Sequence, residues 1–220
     1  MRVNDECEFE PGDLLLFAGR GLESRWIAAV TCSPAQLLAG EWFSHIGICA
    51  RDPHGRVLLW ESTTLCDLPC EITGRKIHGV QAHLPTDRLA HYDGAAWRLR
   101  LAERDTLSES ESLRLSDFVL GEIGRPYDYE GAMISATWRL RLCRRLYPTL
   151  DKLFCSFYVL AALKDIGKVD KDLNPRAYSP ARAARDLMYW GTYQPIGVPG
   201  SESGVFSFQC SVFSKNKRRN

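Results

Sequence analysis

The chain has 220 residues, of which 45% are hydrophobic and 25% charged, and its formal net charge is +1. This composition excludes an intrinsically disordered chain and gives a core large enough to fold without disulfide or metal staples. The near-zero charge argues against a nucleic-acid partner, and no run approaches the ~18 apolar residues that would span a bilayer. The opening "MRVNDECEFEPGD" has no apolar stretch of the kind a secretory leader carries. A cytoplasmic location is therefore expected, with the eight cysteines as reduced thiols.

In chain order, "PGDLLLFAG" (11–19) predicts a turn leading into a short buried strand, and "LESRWIAAVTC" (22–32) has helical spacing in Leu22, Trp26, Ile27 and Val30. "FSHIGICAR" (43–51) and "RVLLWES" (56–62) are strands joined through the turn "DPHG" (52–55). "AAWRLRLA" (95–102) alternates Trp97, Leu99 and Leu101 with Arg98 and Arg100, which predicts a strand with one wet face. Three helices are predicted: 108–124, opened by serines and acids; 149–167, stopped by Gly167; and 178–190, with Ser179 as cap and Pro180 in the first turn. "VFSFQCSVFS" (205–214) alternates like an edge strand. Strands come early and helices flank them, so the class is α+β. One domain over 1–213 is expected, followed by a basic, solvated tail at 214–220.

Three residues attract attention for chemistry. His45 interrupts an apolar strand. With a loop of 51–55 and Ala50 opposite Arg56, His45 faces Glu61 directly, with Cβ atoms ~4.5–5.5 Å apart, and a carboxylate there fixes the tautomer and orientation of the ring. A four-residue loop would send Glu61 to the other face. Cys155 stands near the start of the 149–167 helix, where the backbone favours an anion and hence a thiolate nucleophile. Cys32, Cys143 and Cys210 have no such local feature, and Cys49 lies about 13 Å along the strand from His45.

Two other readings carry less weight. Cys66, Cys70, His78 and His83 have zinc-like pair spacings, but the gap between the pairs is shorter than in a zinc finger, so no metal or cofactor is expected. "WRLRLCRRLYPTL" (138–150) is basic and apolar together; a helix with arginines in water is favoured over a membrane-surface segment.

The motifs "PGDLLLF", "FSHIGI", "LLWES", "GRPYDY", "FCSFYV" and "YSPARAARDL", in that order over about residues 11–190, resemble the circularly permuted NlpC-like branch of the papain-fold thiol hydrolases. The nearest likeness is to the YiiX/YaeF-like proteins, in the wider group that includes lecithin–retinol acyltransferase. The resemblance implies a permuted papain-like α+β fold, a small antiparallel sheet or half-barrel packed against the cysteine helix. It places the nucleophile on Cys155, the base on His45 and the polar third member on Glu61. It puts Tyr127, Ser156 and Ser44 in the oxyanion or substrate pocket. The implied activity is cleavage of an amide or ester through a thioester, on a peptide, lipid or small-molecule substrate. Acyl transfer, or a non-catalytic binding module that keeps the cleft, are the alternatives. The segments 64–94 and 131–150 are long for this pattern and leave the substrate open.

Overall fold

The structure is a computed structural model that describes residues 8–21, 43–64, 66–128 and 154–196. The predicted helix at 22–32, strand at 205–214, basic segment at 138–150 and tail lie outside these residues, as do Cys32, Cys143 and Cys210. The described strands are β1 (Leu14–Gly19), β2 (His45–Arg51), β3 (Val57–Thr63), β4 (Gly79–His83), β5 (Gly94–Leu101) and β6 (Tyr193–Ile196). They form one six-stranded antiparallel sheet in the order β4-β3-β2-β1-β5-β6. The helices are α1 (Pro85–Ala90), α2 (Glu109–Gly121), α3 (Cys155–Asp165) and α4 (Pro180–Tyr189). The α+β class is as expected. Among the described residues no helix is long and apolar enough to cross a membrane.

One face of the sheet presents Leu16, Ile46, Ile48, Leu58, Trp60 and Leu99 to α2, α3 and α4, and these pack with Leu115, Val119, Tyr158, Val159 and Leu187 into the main core. The helices start where local chemistry dictates. Ser108 and Glu111 form a reciprocal capping box at α2, and Ser179 accepts from the Arg182 N–H with Pro180 in the first turn of α4. α3 differs: its N-cap is Phe154, which supplies no side-chain cap to the first turn.

The opposite face holds a smaller cluster of Phe9, Leu15, Phe17, Cys49 and Leu59, covered in part by Leu89 and Tyr92. Here the expected wet face of β5 is corrected. Arg98 is 0% exposed. Its guanidinium donates to Asp13 Oδ2 at 3.0 and 2.7 Å and lies 4.5 Å over the Phe9 ring. Arg100 joins the same carboxylate at 3.1 Å on Oδ1. The phase of the alternation is as predicted, but the turn at residues 8–13 folds over the arginines, so they are compensated by a buried carboxylate instead of water.

The β2–β3 hairpin is shifted by one pair from the expected register. Ala50 pairs with Leu58 and Arg51 with Val57, and Asp52 closes the loop by donating its N–H to the Arg56 carbonyl at 2.9 Å. The loop proper is thus Pro53-His54-Gly55. It is set by the Asp52 carboxylate, which accepts from the N–H of His54 and of Arg56 at 2.9 Å each, and by Gly55 at φ +81°. A three-residue loop in place of five keeps the parity, so His45 and Glu61 stay on one face, but they become diagonal neighbours instead of direct partners.

Candidate functional site

In this register Gly47, two residues along from His45, stands opposite Glu61. A Cβ built on Gly47 would lie 2.8 Å from Leu59 Cδ1, 3.1 Å from the Trp60 carbonyl oxygen and 3.3 Å from Glu61 Cβ. The missing side chain opens the diagonal from Glu61 to His45. Along it Glu61 Oε2 and His45 Nε2 are 2.5 Å apart, a short, charge-assisted contact. The ring also packs against Phe17, with centroids 5.6 Å apart.

Glu61 is completely buried and its charge is met on both sides. Arg88, from α1, donates Nε to Oε1 at 2.6 Å and itself sits 5.1 Å from the ring centres of Phe17 and of Tyr92. Burial opposes ionisation of Glu61, but Arg88 and His45 outweigh it and hold the carboxyl down to about 2.

Cys155 opens α3, and its sulfur comes within hydrogen-bonding reach of the His45 ring. Helix α3 packs on the Ile46/Ile48 face. The meeting is possible because His45 is the first residue of β2, at the end of the sheet. Glu61 engages Nε2, which leaves Nδ1 as the nitrogen available to sulfur. Burial disfavours the charged ring, but the Cys155 sulfur and then the Glu61 carboxylate overcome it and push His45 up to about 9.

This ordering of causes makes a prediction. Followed by NMR of the ring carbons, His45 should hold its proton up to about pH 9. Its titration should move to lower pH in Cys155→Ala, which removes the larger upward influences, and move less in Glu61→Gln. An unchanged His45 titration in Cys155→Ala would mean that sulfur and ring do not interact.

Cys155, His45 and Glu61, far apart in the chain, are thus brought together. Of the three residues expected in the pocket, Ser44 and Ser156 adjoin His45 and Cys155 in the chain. Ser44 donates its hydroxyl to the Phe17 carbonyl at 3.3 Å and Ser156 to the Tyr178 carbonyl at 2.6 Å, so both hydroxyls anchor the frame. Tyr127 follows the Gly79–Pro126 bridge at the start of β4, at the same end of the sheet as His45.

The four residues with zinc-like spacing do not converge as a set. His78 is exposed, and the Cys70 sulfur accepts the Ala82 N–H at 3.4 Å within the main core. Cys66 and His83 do meet, at 3.4 Å, and they meet beside Glu61. Among the described residues, Glu61, Cys66 and His83 are the group whose ligating atoms all lie within 4.8 Å of one another. Burial holds the His83 ring below its ordinary range, outweighing the pull of Glu61, and burial raises the Cys66 thiol, so this second pair is neutral.

Sequence reasoning missed Arg88, Gln81 and the role of His83. All lie in 64–94, where β4 is five residues long and turns Gln81 and His83 into a buried polar cluster, so no hydrophobic alternation marks it. A weak signal was available in "LPTDRLA", where Pro85 takes the first turn of a short helix that carries Arg88.

No family model matches the chain, and no curated protein does. Among solved structures, it is similar to the crystal structure of the metalloprotein yiiX (DUF1105) from Escherichia coli O157:H7, with 18% identity and a TM-score of 0.47 over 86% of this chain and 89% of that one.

Proposed function

We propose that the chain is a cysteine-dependent hydrolase or acyltransferase of the permuted, papain-like NlpC type, nearest the YiiX/YaeF-like branch, acting on an amide or ester. The observation that carries this reading is the His45 ring held between the Glu61 carboxylate and the Cys155 sulfur. The Cys155 proton rests on His45 Nδ1, in line with a ring that stays charged up to about pH 9, and Cys155 Sγ, held beside that charged ring, attacks the substrate carbonyl. The oxyanion so formed is met by the first-turn N–H groups of α3, which Phe154 does not cap. Collapse of the intermediate breaks the bond to the amine or alcohol, which leaves with the proton from His45. The remaining thioester passes its acyl group to water or to an amine, whose proton returns through His45 and leaves the thiol restored. Glu61, fixed by Arg88, orients the ring throughout and stabilises its charged form.

The test is selective alkylation. At a low dose of iodoacetamide near neutral pH, peptide mapping should find the label on Cys155, and Cys155→Ala should remain unlabelled. Label taken by another cysteine overturns the assignment. Cys155 is 3% exposed, which is the observation favouring the other reading, a papain-like binding module. That reading expects the sulfur to resist the reagent until the protein unfolds. Transfer of the acyl group to an added amine in preference to water separates acyltransferase from hydrolase.

A further inference from the structure

Behind the proposed catalytic histidine, four donor atoms converge in a pattern that hydrogen bonding among them does not explain. His83 Nε2 lies 3.4 Å from Cys66 Sγ, 3.1 Å from Gln81 Oε1 and 3.9 Å from Glu61 Oε1. The ring also donates to the Pro69 carbonyl. With Nε2 turned to the cluster, that bond falls to Nδ1, so a neutral ring keeps its only N–H there and presents a bare lone pair at Nε2. The Gln81 amide cannot supply the missing proton, because its nitrogen is committed to the Thr63 and Ile77 carbonyls at 3.0 and 3.1 Å. Its oxygen is thereby aimed at His83. The Glu61 oxygen is an acceptor as well. A nitrogen lone pair and two oxygens thus face one another, with one thiol proton to share among them.

The outer contacts are those a metal-ligating set requires. Pro69 fixes the tautomer of His83, the Leu68 N–H donates to the Cys66 sulfur, two carbonyls orient Gln81, and Arg88 holds Glu61. The spacings suit a tetrahedral centre. With bonds of ~2.3 Å to sulfur and ~2.0–2.2 Å to nitrogen and oxygen, ligand atoms stand roughly 3.3–3.6 Å apart, against the 3.4, 3.1 and 3.9 Å that separate His83 Nε2 from Cys66, Gln81 and Glu61. We propose that Cys66, His83, Glu61 and Gln81 form a binding site for a thiophilic divalent cation of the zinc class. Binding releases the Cys66 proton and gives two anionic donors against the dication. The unfavourable neighbour is the Arg88 charge, which restricts the site to metals that bind thiolate tightly. The site stands independently of the enzymatic reading, although the two share Glu61.

The experiment is a cobalt titration of the full chain after dialysis against a chelator. One equivalent of Co(II) should bind with a near-ultraviolet thiolate-to-metal band and visible bands of tetrahedral strength, and zinc should bleach both. Cys155→Ala should bind as the wild type does. Cys66→Ser should lose the thiolate band, and His83→Ala should weaken binding by more than the ~10–100-fold typical of losing an outer contact. Failure of the wild-type protein to bind cobalt or zinc overturns the proposal whatever the variants do. A thiolate band lost in Cys155→Ala and kept in Cys66→Ser overturns it too, and leaves the catalytic reading untouched.

Discussion

His45→Ala is expected to slow both the alkylation of Cys155 and the turnover of an activated ester by ~10²–10⁴-fold, the usual contribution of a positioned general base. The expectation follows from the two partners of the ring. At 2.5 Å, Glu61 fixes the imidazole through Nε2, and the sulfur is the group left to the other nitrogen. Without the ring, the thiol must lose its proton to water at the end of a buried helix. The N–H groups of the first turn remain, so a residual rate over background should survive, as it does when a base is removed and the oxyanion donors stay. The measurement is the second-order alkylation rate across a pH series, set beside ester turnover. A wild-type rate in His45→Ala removes the base from the mechanism.

Asp13→Ala is expected to cost ~3–5 kcal/mol of stability, the range for removing one partner of a buried ion pair. Asp13 is 1% exposed and Arg98 is 0% exposed. Alanine leaves the Arg98 guanidinium without its carboxylate, beneath the Phe9 ring and out of reach of water. Asp13→Asn should cost less, because the amide oxygen still accepts while the charge is lost. Urea unfolding of the three proteins tests this. Pairing Asp13→Leu with Arg98→Met should recover part of the loss, since a buried ion pair replaced whole by apolar residues is often close to neutral. A loss below ~0.5 kcal/mol in Asp13→Ala, the scale of an ordinary surface change, would mean that the arginines reach solvent.

The same arginine shows where sequence reasoning stops. The alternation of Trp97, Leu99 and Leu101 is legible because strand geometry has a period of two. Whether the other face meets water depends on what the chain does 85 residues earlier, at Asp13, and no local pattern carries that. The candidate site was legible for a related reason. Histidine and glutamate at matching parity in a hairpin share a face for any loop with an odd number of residues, so the error in loop length moved Glu61 by one pair without taking it out of reach. Cys155 was marked by its place at a helix start. Arg88 was not legible, since nothing in a six-residue helix declares which buried carboxylate it faces.

Gly47 carries a consequence for anyone who would rebuild this constellation elsewhere. Because the carboxylate crosses the ladder obliquely, the position between His45 and Glu61 has to remain bare, and a designer grafting the trio onto a different hairpin inherits that demand together with the three side chains. An alanine there, harmless by any table of strand preference, would press on Leu59 and on the backbone of Trp60 and part the two strands at the point where the His45–Glu61 contact needs them close. The spacing His-x-Gly in this chain is therefore a geometric specification of the acid–base contact, written in a residue that contributes no functional group of its own.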